Sequence, residues 1–156
     1  MSRKKAREIL LCLVFEKDHH KNCDCEKLHG ELFENYTIEE ICNSFGEKAG
    51  NSAPAGLGAV NEAYIKTTFA GIFENIAQID ELLSGSTVGW DYSRISKISL
   101  ALLRIAAYEI LYAPDVPAPV AINEAVYLSK RYDDPEAYVF VNGVLATIAK
   151  NHKKNQ

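Results

Sequence analysis

The sequence predicts an all-α fold with about seven helices in two packed helical subdomains. Apolar residues recur at helical spacing in most segments, and clusters of glycine and proline separate those segments. No segment keeps the strict alternation of a half-buried strand, and there is no internal repeat. The 156 residues are 47 % apolar and 24 % charged, which is the composition of a globular protein that can bury a core of its own.

The first helix is predicted from about Arg3 to His19. Its apolar residues share one face: Ala6, Ile9, Leu10, Leu13 and Val14. A second helix is predicted over residues 25–35, and a third begins at Thr37, which has capping-box spacing to Glu40. Residues 44–58 hold four of the nine glycines and Pro54, so a flexible loop is expected there.

The next helix is predicted to be long, from about Ala59 to Leu83, and a Ser-Gly-Ser sequence stops it. After a turn at Trp90, either Asp91 or Ser93 is expected to cap a helical region that runs from Arg94 to Tyr112. That region is apolar on nearly every side, which predicts a buried central helix.

Three of the five prolines lie between residues 114 and 119, which excludes helix there. Helix resumes from about Pro119 to Tyr132. Asp133 and Asp134 are predicted to cap a last helix that has Pro135 at its first position and runs to about Lys150. The expected subdomains are residues 1–83 and 91–150, each approximately.

The formal net charge is −4, but it is unevenly distributed. Residues 1–7 and 150–156 contain no acid and together carry +7, whereas residues 8–149 carry −11. This pattern predicts a basic patch on an acidic body. No apolar run approaches the ~18 residues of a membrane span, and no signal peptide is recognisable, so a cytoplasmic protein without membrane contact is expected.

No catalytic site is predicted, and no cofactor. Glycine-rich phosphate loops and the nucleophile-elbow pattern are absent, and none of the four histidines lies in a helical core. Cysteine and histidine do cluster in one connection: His19, His20, Cys23, Cys25 and His29. Because Cys-x-Cys is a poor metal-binding spacing and there is no second pair, the favoured interpretation is surface residues, with a zinc site as the alternative.

Two aromatic residues lie off the predicted core faces. On the first helix, Phe15 points away from the core, flanked by Lys4, Leu11 and Arg7, as a ring that stacks on single-stranded nucleic acid would. Burial by a neighbouring helix is the other interpretation. On the last helix, Phe140 lies about 100° from the core face. It is interpreted as a rim aromatic facing a partner, and Gly143 as a point of close approach.

Four segments of the chain resemble the transcription antitermination family NusB. In order, they are residues 6–8 (Ala-Arg-Glu), 103–110 (Leu-Arg-Ile-Ala-Ala-Tyr-Glu-Ile), 120–126 (Val-Ala-Ile-Asn-Glu-Ala-Val) and 140–145 (Phe-Val-Asn-Gly-Val-Leu). The resemblance implies one NusB-like domain over residues 1–156 and no enzymatic activity. It also implies binding to boxA RNA of ribosomal RNA leaders together with the ribosomal protein NusE, in an antitermination complex with RNA polymerase.

The same resemblance implies which residues bind. RNA-binding positions of the family correspond to Arg3, Lys4, Lys5, Arg7, Phe15 and Phe140. An acidic position corresponds to Glu136 and is expected on the protein-partner surface. Ser99 and Leu100 replace an acidic-basic pair that is usual in the family, which puts any polar contact from there in doubt.

Two other functions remain to be weighed. The alternative is an interaction scaffold that binds the ribosomal protein without appreciable RNA binding. NusB-like domains also occur fused to ribosomal RNA cytosine methyltransferases, but the chain ends soon after the last motif, so that function is not expected.

Overall fold

The computed structural model describes residues 3–19, 59–87, 89 and 94–154, and the fold is described for these residues. They form six α-helices and no strand, so the predicted all-α class is confirmed. The helices are α1 (Arg3–His19), α2 (Ala59–Glu74), α3 (Ile76–Gly85), α4 (Lys97–Tyr112), α5 (Ala118–Tyr132) and α6 (Ala137–Lys154). The helices predicted over residues 25–35 and from Thr37, and the loop over 44–58, lie outside the described residues. None of the six helices is long and apolar enough to cross a membrane.

The chain divides into two compact units, Met1–Phe73 and Glu74–Gln156. In the first unit, α1 and α2 run parallel. Arg3 at the start of α1 contacts Asn61 near the start of α2, whereas Lys17 near the end of α1 lies over the ring of Phe73 near the end of α2. The predicted core face of α1 is buried, and Ile65, Phe69 and Ile72 of α2 are buried in the same unit.

The long helix predicted over residues 59–83 is interrupted. Asn75 has φ −113° and ψ 18°, outside helical geometry, and separates α2 from α3. The Ile79 N–H still donates to the Asn75 carbonyl over 3.0 Å, so α3 starts again at once. Periodicity alone does not reveal this break, because the apolar positions continue across it. Ile79 and Leu83 lie in the core of the second unit. The subdomain boundary expected near residue 83 assigned them to the N-terminal subdomain.

The central helix α4 is buried along most of its length, as predicted, and packs against α3, α5 and α6. Its N-cap is Ser96, whose side chain accepts from the Ser99 N–H over 3.0 Å, so the predicted caps Asp91 and Ser93 are wrong. The buried guanidinium of Arg104 pairs with Asp80 of α3 through two hydrogen bonds of 3.0 and 2.9 Å.

The last two helices also begin differently from the prediction. Helix α5 starts one residue before Pro119, after an extended Pro117. Helix α6 starts at Ala137, and Pro135 lies in the turn that precedes it instead of at the first helical position. Helix α6 continues to Lys154, so the basic residues at the end of the chain belong to its last turns.

The pKa of Tyr108 in α4 is higher than the usual value for tyrosine. Burial raises the pKa of its phenol, and the negative charge of Glu74 and the neighbouring Tyr112 raise it further. The Tyr108 and Tyr112 rings lie 5.3 Å apart between centroids, at 40°.

Candidate functional site

The first candidate surface is the basic edge of α1, formed by Arg3, Lys4, Lys5 and Arg7. These four cations differ in exposure: Lys4 is exposed, Arg3 and Lys5 are half-buried, and Arg7 is 6 % exposed. Lys5 pairs with Glu8 one turn further along the helix, with 3.1 Å between Nζ and Oε2. The predicted basic residues therefore lie on one helix, but they are not equally accessible to a ligand.

Both arginines of the basic edge contact the same aromatic ring. The Arg3 guanidinium carbon lies 4.1 Å from the centroid of the Tyr64 ring, and that of Arg7 lies 5.6 Å from it. The Arg3 Nε also donates to the side-chain oxygen of Asn61 over 3.1 Å. Sequence analysis did not identify Tyr64 and Asn61, because a contact between residues 57 or more positions apart leaves no trace in local periodicity.

Phe15 is half-buried, and the face of α1 that it shares is largely covered. Leu11 and Arg7, which flank it on the helical wheel, are each only 6 % exposed. Leu11 and Arg7 therefore do not lie on an open solvent face as predicted. Helices of a bundle are covered on more than one side, and that explains the difference. Part of the Phe15 side chain remains accessible.

The second candidate surface is a cleft of the second unit, here called the α4–α6 cleft. Its volume is about 370 Å³, within the range of about 300–1,000 Å³ that is usual for small-ligand sites. It is lined by Ile95, Ser96, Ser99, Asp133, Asp134, Glu136, Ala137, Val139 and Phe140. Its lining combines apolar side chains with three carboxylates, so a bound phosphate would be repelled, whereas a neutral base or a basic side chain would not.

Asp133 joins the two sides of the α4–α6 cleft. Its carboxylate accepts hydrogen bonds from the hydroxyl groups of Ser96 and Ser99 at the start of α4, the former at 3.0 and 3.1 Å. It also accepts from the Asp134 backbone N–H over 2.9 Å. Ser99, one of the two positions where this chain departs from the family pattern, therefore makes a polar contact of its own. The prediction that Asp133 caps the last helix did not include its contacts with Ser96 and Ser99.

The structure corrects the placement of Phe140. This ring is 9 % exposed and belongs to the core of the second unit, so it is not the rim aromatic that the helical wheel predicted. Its remaining exposed part contributes to the cleft lining, near the exposed Glu136. Gly143 is exposed, and a Cβ built on it meets no atom within 4 Å, so the predicted close approach does not come from the described residues.

The basic end of α6 is exposed at three lysines, Lys150, Lys153 and Lys154. Cations in the last turn of a helix interact favourably with its dipole, which accounts for the positions of Lys153 and Lys154 without a ligand. Within the described ranges, no group of three or more His, Cys, Asp or Glu residues is arranged to hold a metal. Of the cysteine and histidine cluster, residues 20–29 and the His19 side chain lie outside those ranges.

Comparison with known proteins identifies the family. The model of the NusB family matches residues 4–150. This chain belongs to the NusB family. Its NusB relatives are transcription antitermination proteins, and the family is one of transcription factors rather than a known enzyme family.

The NusB relatives match along nearly their whole length. The transcription antitermination protein NusB of Clostridium perfringens (strain SM101 / Type A) is 39 % identical over 153 residues, which cover 98 % of this chain and 100 % of the relative. NusB of Bacillus velezensis is 43 % identical over 148 residues, 95 % of each chain. The predicted NusB membership is confirmed.

Solved structures agree with the NusB fold. NusB of T. maritima superposes with a TM-score of 0.69 at 27 % identity, over 97 % of this chain and 93 % of its own. A chain in the crystal structure of a plectonemic RNA supercoil superposes with a TM-score of 0.74, over the full length of both chains. Its identity is 21 %, so this second likeness concerns the fold alone.

Proposed function

We propose that this protein is an antitermination factor that binds boxA RNA of ribosomal RNA leader transcripts together with the ribosomal protein NusE. The observation that carries the proposal is the match to the NusB family over residues 4–150, which includes all four motif segments of the sequence. With its partner and RNA bound, the protein would act in a complex with RNA polymerase that passes terminators. No cofactor is needed for this function.

The basic edge of α1 is proposed to bind the RNA backbone. Arg3, Lys4, Lys5 and Arg7 offer cations to phosphates, and Phe15 offers part of a ring to a base. Lys4 is the most accessible of the four cations, and Arg3 is held on the ring of Tyr64. Arg7 and Lys5 would contribute less, because Arg7 is buried and Lys5 would have to leave its ion pair with Glu8.

The α4–α6 cleft is proposed as the second contact. A base that enters it would meet the accessible part of Phe140, and the exposed Glu136 would face the basic ribosomal protein. Charge complementarity between an acidic rim and a basic partner favours correct docking and fast association. The exposed Val139, at 56 %, adds apolar surface beside Glu136.

The test is a titration of a labelled boxA leader RNA, with and without the ribosomal protein, over a series of salt concentrations. Binding is expected to be far tighter with the ribosomal protein. The log–log salt slope is expected near −0.7 for each phosphate neutralised, so Lys4→Ala should make the slope shallower by about 0.7. Lys130→Ala is the matched control, because it removes an exposed lysine of α5 that lies outside both the basic edge and the lining of the α4–α6 cleft.

Phe15→Ala is tested in the same titration and is expected to weaken RNA binding by about 1–3 kcal/mol, the usual contribution of a stacked base. A urea titration of the free variant separates stacking from stability. If the variant unfolds more easily while each folded molecule binds RNA normally, Phe15 is a core residue. RNA binding that is absent at low salt, with the ribosomal protein still bound, would refute the RNA function and identify a scaffold.

A further inference from the structure

Two contacts hold the guanidinium of Arg3: a hydrogen bond at its Nε and an aromatic ring against one of its faces. Its Nε donates to Asn61 over 3.1 Å, and its plane lies over Tyr64 with 4.1 Å between the guanidinium carbon and the ring centroid. Both contacts come from α2, at positions 61 and 64, which face the same side of a helix because they are three residues apart. Among the described residues, no acceptor is recorded for the two Nη groups of Arg3.

We propose that Asn61 and Tyr64 are positioning residues that hold the Arg3 guanidinium for a phosphate of the bound RNA. The inference rests on the proposed function, because it assigns a task to residues that stand behind the basic edge. Neither residue contacts the RNA in this proposal. Each acts through Arg3.

The geometry favours a phosphate as the ligand. The Nη groups of an arginine present parallel N–H donors that match two oxygens of a phosphate or carboxylate. A side chain that is already ordered loses less conformational freedom on binding than a mobile one. A cation held over a ring keeps its full charge, so the ring orders Arg3 without neutralising it.

The charges around Arg3 also favour an anion. The first seven residues contain no acid, and Lys4 beside Arg3 is exposed. The two nearest acids along the helices are occupied by lysines of their own helices. Glu8 pairs with Lys5 at 3.1 Å, and Glu62 pairs with Lys66 at 3.1 Å. Neither carboxylate is therefore left as a competing partner for Arg3.

The experiment is a pair of double-mutant cycles on the full chain with the ribosomal protein and a labelled boxA leader RNA. Tyr64→Leu and Asn61→Ala are each measured alone and in the Arg3→Ala background. We expect each to weaken RNA binding by about two- to fivefold alone, the usual effect of one cation–π contact or one hydrogen bond. We expect little further loss in the Arg3→Ala background, since both residues act through Arg3, and Arg7, 5.6 Å from the Tyr64 ring, is buried.

Two variants separate positioning from stability. Tyr64→Phe keeps the ring under Arg3 and should bind RNA as the parent protein does. Thr67→Ala is the matched control on α2, at an exposed position. Asn61→Ala keeps the test valid if Tyr64→Leu fails to fold, because Asn61 is not in the core of the unit.

Three results would overturn the inference. The first is a loss that is equal with and without Arg3, which identifies a structural role. The second is normal binding by both Tyr64→Leu and Asn61→Ala while Lys4→Ala still weakens binding, which leaves the proposed function intact. The third is absence of RNA binding by the parent protein, which removes the proposed function and this inference together.

Discussion

Replacing Asp133 by alanine tests whether the contact across the α4–α6 cleft stabilises the second unit. The carboxylate accepts hydrogen bonds from Ser96, Ser99 and the Asp134 backbone. Ser99 is 2 % exposed, so its hydroxyl would lose its acceptor inside the protein, which costs about 1–3 kcal/mol. The Ser96 hydroxyl and the Asp134 N–H are more accessible and can form hydrogen bonds with water instead. The expected loss in the free energy of unfolding is therefore about 2 kcal/mol.

Urea denaturation followed by circular dichroism measures this loss. Asp134→Ala is the matched control, because its side chain is exposed and only its backbone takes part, so a change within about 0.5 kcal/mol is expected. Ser99→Ala combined with Asp133→Ala should cost less than the sum of the two single losses, since removing both partners leaves no buried group unsatisfied. Equal stabilities of the Asp133 and Asp134 variants would refute this role.

Two further predictions concern the helices of the second unit. Gly143→Ala should raise the stability by about 0.5–1 kcal/mol in the same urea assay, because the residue is inside α6 and a Cβ meets nothing within 4 Å; a loss of stability would contradict the open surroundings. Tyr108→Phe should flatten the alkaline fall in stability. The folded pKa of Tyr108 is raised above the usual value of about 10, so its contribution is fully present below pH ~10 and lost as the pH rises through the folded pKa. An equal decline in the free energy of unfolding of both proteins above pH 10 would contradict it.

Local periodicity predicted the helices well and their surroundings less well. It predicted α1 over its full length and the burial of α4, because both depend on residues three or four positions apart. It misplaced Phe140, since α6 packs against α3, α4 and α5 within the part of the chain that the structure describes. A helix with several neighbours buries a wider arc than a single stripe, so a ring about 100° from the centre of that stripe is still covered.

The candidate site was predictable in its cations and motifs but not in its contacts. Arg3 and Lys4 follow from the charge pattern, whereas Tyr64 follows only from the fold, 61 positions further along the chain. The contact of Ser99 likewise follows only from the fold. The sequence showed that a usual acidic-basic pair was missing there, and the fold supplied the carboxylate of Asp133 as a partner of its hydroxyl.

The net charge of the chain does not show which charges are available on the basic edge of α1. That availability depends on how each charged side chain is paired with its neighbours. The chain carries −4 overall, yet Glu8 and Glu62 near the edge each pair with a lysine of their own helix. That pairing uses Lys5, so the four cations of the edge do not act as four equal charges. Exposure and contacts leave Lys4 and Arg3 as the principal donors to an anion, the first accessible and the second ordered in advance. In the proposed function, these two cations would give an acidic chain a surface for the phosphates of RNA.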